Sequence, residues 1–179
     1  MMYALEDKQP VLAEDTFVAP TAVLVGDVQL AEQTGIWYGA VLRADTAAIR
    51  VGRGSNVQDN AVLHTEPGQD VVLGENVSVG HSAVVHACTV GDGTLIGMHA
   101  TLLSGCRVGK GCVIAAGALV PGGMEIPDGM LAVGVPARIK GPVGEKQAQA
   151  SLANAAHYRK MAARHRAART VEGKNEGEA

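Results

Sequence analysis

Large aliphatic residues recur along this chain about every six positions, and a small residue often follows each of them. Val25, Leu30, Ile36, Leu42, Val51, Val57, Leu63, Leu73, Val79, Val85, Val90, Ile96, Leu102, Val108, Ile114 and Val120 carry the pattern. Four places after many of these stands a second small residue, as at Thr34, Ala40, Ser55, Ala61, Ala83, Thr89, Thr94, Ala100, Cys106, Cys112 and Ala118. Glycine follows directly at Gly26, Gly52, Gly74, Gly80, Gly91, Gly97 and Gly109, and glycine turns a corner without steric cost. One large and one small apolar residue in every six fill a narrow prism. The pattern predicts a mainly β fold, a parallel β-helix of hexapeptide repeats with three short strands per coil.

Assigning the large residues in rotation to faces a, b and c tests this. Spacings other than six occur from 25 to 30, 42 to 51, 63 to 73 and 85 to 90, each between an a residue and the next b residue. The coils therefore stack, and one edge of the prism takes the insertions and deletions. Loops carried on a rigid scaffold are where sites are built. The β-helix is expected over residues 1–140. Residues 141–170 read as a linker, with Gly141, Pro142 and Gly144, and then a C-terminal α-helix rich in Ala, Arg, Lys and Gln. Its apolar stripe is thin, so it should pack on a neighbouring surface. Residues 171–179 read as a disordered tail.

Composition agrees with a narrow core: 47% of residues are hydrophobic, yet only 3% are aromatic. The net charge of -3, with both signs scattered, excludes the basic stripe of a nucleic-acid binder. The first residues have no apolar run, so no secretory signal is expected, and no segment reaches the ~20 apolar residues of a membrane span. Cys88, Cys106 and Cys112 lack metal-like spacing and read as buried free thiols in a cytoplasmic protein.

The histidines carry the chemistry. His64 follows Leu63 on face a, His86 follows Val85 one coil later, and Arg43 follows Leu42 one coil earlier. These three should stack, with coils ~4.8 Å apart, so His64 and His86 can share one metal ion. His81 lies two places after Val79 of face c. About 16 Å of extended chain separates it from His86, whereas Zn–N bonds are ~2.0–2.1 Å long. One strand cannot deliver both, but a neighbouring subunit can. Three prisms around a three-fold axis would give a homotrimer with three identical shared sites. Asp59, two places after Val57, should then face Arg43 of the neighbour in an inter-subunit ion pair. His99, His157 and His165 read as ordinary surface or packing residues.

The segments LRAD (42–45), NVQDNAVLH (56–64), SVGHSAVVH (78–86) and IGMHA (96–100) resemble the signature stretches of γ-class carbonic anhydrases, and VGVPARIKG and the C-terminal helix extend the resemblance over most of the chain. It implies a left-handed coil, zinc (or iron or cobalt) on His64, His81 and His86, and Gln58 beside the metal's solvent ligand. It also implies that Arg43 and Asp59 form the inter-subunit pair, with Asp45 and Asn56 as polar support nearby. Thr46 stands where archetypal members carry glutamate, and the long acidic loop after the first metal histidine is reduced to TEPGQD. The chain therefore resembles a short-loop subgroup. Glu66 is the sole glutamate of that loop and the candidate proton carrier, and Tyr158 of the helix the candidate to approach the site.

These residues predict reversible hydration of CO2 to bicarbonate by metal-activated water, with three neutral imidazoles leaving a coordination position open. The competing readings are a hexapeptide-repeat acyltransferase, a metal-dependent thioesterase, and a metal-binding protein without turnover.

Overall fold

The computed structural model describes residues 1–168. The chain winds into a left-handed parallel β-helix of about seven coils, followed by the helix Glu145–Arg166. Residues 169 and 170 of the expected linker-and-helix region, and the whole 171–179 tail, lie outside the described residues.

Each face of the prism is a ladder of parallel rungs. On face c, Val18, Ile36, Val57, Val79, Ile96, Ile114 and Ala132 stack in register. On face a the column is Leu24, Leu42, Leu63, Val85, Leu102 and Val120. On face b it is Leu30, Val51, Leu73, Val90, Val108 and Ile126. Nearly all of these side chains are fully buried, so the core is a single aliphatic column along the axis.

Two positions differ from the six-residue reading. Leu24, not Val25, faces inward, because Val23–Leu30 is one continuous strand with alternating burial. The step from Leu24 to Leu30 is then six, and the first apparent irregularity disappears. Cys88, not Thr89, is the buried small residue of its coil, because the a-to-b step there is one residue short. The other three irregular spacings do lie at the a–b edge. The strand Val41–Val51 crosses that edge without a break, pairing with Val62–His64 at its start and Val71–Leu73 at its end.

At the c–a corner Asn60, Ser82 and His99 take positive φ, at 59°, 58° and 57°. This accounts for His99 as a turn residue. A Cβ on Gly80 would lie 2.7 Å from Met98 N and 2.8 Å from Ile96 O, so only glycine lets successive coils approach just before His81. The antiparallel strand Arg138–Pro142 pairs with Met130–Val133 of the final coil.

The helix lies across the outside of face c and buries Ser151, Ala155 and Ala162. The core has no room for rings, so they gather outside it. Phe17, Trp37, Tyr38, Tyr158 and His165 form one edge-to-face cluster between helix and prism. Tyr38 OH lies 3.0 Å from His165 Nδ1, and Arg159 Nη1 donates to Asn76 Oδ1 at 2.6 Å. His157 only abuts Tyr158.

Asp27 ties adjacent coils together through a two-pronged pair with Arg50, at 2.8 and 3.1 Å. The Arg50 hydrogen bond outweighs the opposing effect of burial and holds the Asp27 carboxyl below the usual carboxylate range. A depressed folded pKa contributes stability above the unfolded pKa, and this is lost as pH falls through the folded value.

Two outcomes follow for folding. Ile96→Ala, which empties one fully buried rung, should cost about 2–5 kcal/mol in guanidinium denaturation. The advantage of the wild type over Asp27→Asn should be present at pH 7 and shrink below about pH 4, read from urea midpoints across pH.

Candidate metal centre

Parallel register places Arg43, His64 and His86 in one column on face a. The two imidazole rings meet edge to face with centroids 4.8 Å apart, and His64 Nδ1 lies 2.9 Å from His86 Nε2. Asp45, two residues along the strand from Arg43, pairs with the Arg43 guanidinium and lies 3.2 Å from His64 Nε2. Partial burial acts to raise the Asp45 pKa. The hydrogen bonds from Arg43, the backbone and His64 together prevail and hold it below the usual carboxylate range. On the other ring, His86 Nδ1 lies 2.9 Å from Ser104 Oγ, and that hydroxyl donates to Glu66 Oε1 at 2.9 Å. Glu66 is presented by a tight turn closed by paired backbone hydrogen bonds between Glu66 and Gln69.

A second group of residues lies at the c–a corner. Asp59 and His81 occupy successive coils, linked by a backbone hydrogen bond from Ser82 N to Asp59 O at 2.9 Å. Asp59 Oδ2 lies 2.9 Å from His81 Nδ1, and Tyr158 OH lies 3.2 Å from His81 Nε2. Burial and then the Asp59 charge push the Tyr158 pKa up, so its hydroxyl keeps its hydrogen and donates. Beside this corner, Gln58 Nε2 donates to Asn56 Oδ1 at 3.1 Å and Asn56 Nδ2 donates to Ser78 Oγ at 2.9 Å. Ser78 in turn donates to Asn154 of the helix at 3.2 Å. Gln58 and Asn56 are buried.

The hydrogen-bond partners fit a cation. An ionised carboxylate only accepts, so His64 carries its hydrogen on Nε2, toward Asp45. The Ser104 hydrogen is committed to Glu66, so His86 carries its own on Nδ1. Lone pairs are left on His64 Nδ1 and His86 Nε2, facing each other at 2.9 Å. Such an arrangement is repulsive unless a positive charge lies between. Two ligands of a tetrahedral zinc with ~2.0–2.1 Å bonds stand ~3.3 Å apart, a few tenths of an ångström from the separation seen. His81 likewise has Nδ1 held by Asp59, while its Nε2 lone pair accepts from Tyr158 OH, which a metal would displace. Metal-binding histidines commonly have the outer nitrogen held by a carboxylate in this way.

The expected residues thus fall into two groups. Arg43, Asp45, His64, Glu66 and His86 share one edge, and Asn56, Gln58, Asp59, His81 and Tyr158 share the other. Among the described residues of one chain, no three His, Cys, Asp or Glu side chains gather into a metal cluster. Arg43 pairs with Asp45 and Asp59 with His81, so no Arg43–Asp59 pair forms within the chain. Thr46, in the place of a glutamate, has its hydroxyl 3.1 Å from that of Thr65. Ser104, Ser78 and Asn154 were not singled out in the sequence. Ser104 had a weak signal, since it stands one coil beyond Ala87, the neighbour of His86.

Known proteins resemble the chain in both sequence and fold. The family described as "Bacterial transferase hexapeptide (six repeats)" matches residues 87–122. The chain is 41% identical over 167 residues to gamma carbonic anhydrase 1, mitochondrial, of Arabidopsis thaliana, covering 90% of this chain and 61% of that one. It thus spans less than two thirds of that plant relative. It is 41% identical over 150 residues to a probable carbonic anhydrase of Methanocaldococcus jannaschii, covering 84% of this chain and 94% of that one. A solved putative acetyltransferase from Bacillus cereus superposes with a TM-score of 0.90 at 32% identity, covering 92% of this chain and 95% of that one.

Zinc titration checks the donor set. His64→Ala and His86→Ala should each abolish stoichiometric zinc binding measured by elemental analysis, whereas His99→Ala and His157→Ala should keep it.

Proposed function

The chain belongs to the γ-class carbonic anhydrase-like family of hexapeptide-repeat β-helices, and on that premise we propose that it is a homotrimeric, metal-dependent lyase that hydrates CO2 reversibly to bicarbonate. The observation that carries this reading is the division of three histidines, two held by carboxylates and His86 by the Ser104–Glu66 pair, into two incomplete groups on opposite sides of one corner. One edge offers two converging lone pairs and the other offers one. Cyclic symmetry brings the first edge of each subunit against the second edge of the next and completes three sites at once. Arg43, released from Asp45 or shared with it, then meets Asp59 of the neighbouring copy. Large apolar side chains on the same two edges support this contact. Met98 follows His81 in the corner stack and Leu103 follows His86 on face a, and both are exposed in the single chain.

A divalent cation bound there, with zinc the first choice and iron or cobalt the others, would lower the pKa of its water to about 7 and supply a nucleophile for CO2 at neutral pH. His64, His86 and the neighbour's His81 hold it. Asp45, Asp59 and the Ser104–Glu66 pair fix the outer nitrogens of those rings. Gln58, itself held by Asn56, orients the reacting oxygen or the product by a hydrogen bond. Tyr158, whose hydroxyl already reaches His81 Nε2, borders the same space. The three buried thiols, none in a disulfide, fit a reducing compartment, and we place the protein in the cytoplasm.

Acyl transfer is the second reading, favoured by the name of the Bacillus cereus neighbour and by the matched transferase hexapeptide family. It requires a groove for coenzyme A and has no use for three histidines held in this way. Acetyl-CoA binding measured by calorimetry separates the two.

Subunit mixing tests the shared site directly. His64→Ala and His81→Ala trimers should each lack zinc and CO2 hydration. After co-refolding in equal amounts, about one site in four should regain both, because only a junction that takes His64 from one variant and His81 from the other is whole. No recovery in verified mixed trimers would sink the shared site. Zinc-loaded wild-type trimer without CO2 hydration above buffer in a stopped-flow pH assay would sink the activity.

A further inference from the structure

We propose that Ser104 and Glu66 are positioning residues for His86, fixing its tautomer so that Nε2 always presents a lone pair toward His64. The inference rests on the metal-centre reading and adds the device that aims one of its ligands.

Leu102 pairs in register with Val85, so Ser104 arrives one coil beyond His86, against the outer edge of its ring. A serine hydroxyl has one hydrogen. Here it points to Glu66 Oε1 at 2.9 Å, which leaves a lone pair toward His86 Nδ1 at 2.9 Å. Glu66 Oε1 itself is 3.7 Å from His86 Nδ1, beyond hydrogen-bond range, so the hydroxyl is the link. Neither Ser104 nor Glu66 can donate to Nδ1 in this arrangement, and Nδ1 must carry the ring hydrogen. The other tautomer would set two lone pairs against each other at the Ser104 contact and turn an N–H into the space that faces His64.

His64 and His81 meet their carboxylates directly, at 3.2 and 2.9 Å. His86 alone is reached through a hydroxyl. The short turn after His64 therefore has a structural purpose in this chain: it folds back so that Glu66 captures Ser104. This gives Glu66 a positioning role beside the proton-carrier role expected from its place in the shortened loop.

The test uses the full-length protein, histidine-labelled with 15N. In metal-stripped wild type, long-range proton–nitrogen spectra should report His86 as the Nδ1–H tautomer. Ser104→Ala should move it toward the Nε2–H form, and Ser104→Thr, which keeps the hydroxyl, should restore it. Zinc affinity by competition with a chromophoric chelator should fall about 10–100-fold in Ser104→Ala and recover in Ser104→Thr, with the thermal midpoint unchanged. An Nε2–H tautomer in the wild type, or a Ser104→Ala protein with unchanged tautomer and zinc affinity, overturns the inference. If wild type binds no zinc while His86 still answers to Ser104 in the spectra, the positioning stands and the metal-centre reading falls.

Discussion

Parallel register is the constraint on which the rest of this molecule depends. Every rung of a face sits directly over the rung before it, about 4.8 Å away, with backbone hydrogen bonds allowing no slip of one residue without turning the core outward. Val85 over Leu63 over Leu42 is a core column. The next residue along each strand then forms a second column whether or not it contributes to stability, and here that column is His86, His64 and Arg43. The core thus fixes the imidazole separation. Insertions at the a–b edge lengthen the turn that bears Glu66 without disturbing the rungs that bear the histidines.

Electrostatics complete what the register begins. A stacked pair of neutral imidazoles could orient its hydrogens in several ways. Asp45 on one ring and the Ser104–Glu66 pair on the other choose one, with both lone pairs turned inward. That choice sets two lone pairs against each other, a contact that a cation between them would relieve. The Asp45 carboxyl is held below the usual range, so it remains an acceptor at neutral pH. The same arrangement recurs at His81 with Asp59, on the far side of the corner. Among the described residues, a single chain therefore orients three imidazoles without bringing all three together.

The period of six, the three faces and the His64–His86 column were legible because they follow from counting along a regular repeat. The errors arose where local geometry departs from the count. Leu24 was displaced to Val25 because glycine follows Val25, while in the continuous Val23–Leu30 strand a two-residue alternation governs burial. Thr89 was preferred to Cys88 because a one-residue deletion shifts which side chain turns inward. Ser104 escaped notice because a hydroxyl's significance lies in which groups surround it, and Glu66 is 38 residues away in sequence. The split of the candidate residues into two groups was legible, since chain length between His81 and His86 already forbade a local site.

The C-terminal helix explains why the two groups need different support. His64 and His86 lie within paired strands and are braced on both sides by neighbouring rungs. His81 lies in a corner, where the backbone turns and braces less. The chain has five aromatic residues, and four of them, Phe17, Trp37, Tyr38 and Tyr158, gather with His165 under the helix next to that corner. A prism filled with Val, Ile and Leu cannot house rings, so their buried area serves to fasten the helix to face c. From that helix Asn154 holds Ser78, Tyr158 holds His81 and Arg159 holds Asn76. The corner thereby gains the rigidity that the ladder alone does not provide, and the His81 ring is held in one orientation. A loose imidazole would lose side-chain entropy on binding any partner, and the docked helix meets that cost in advance, when the chain folds.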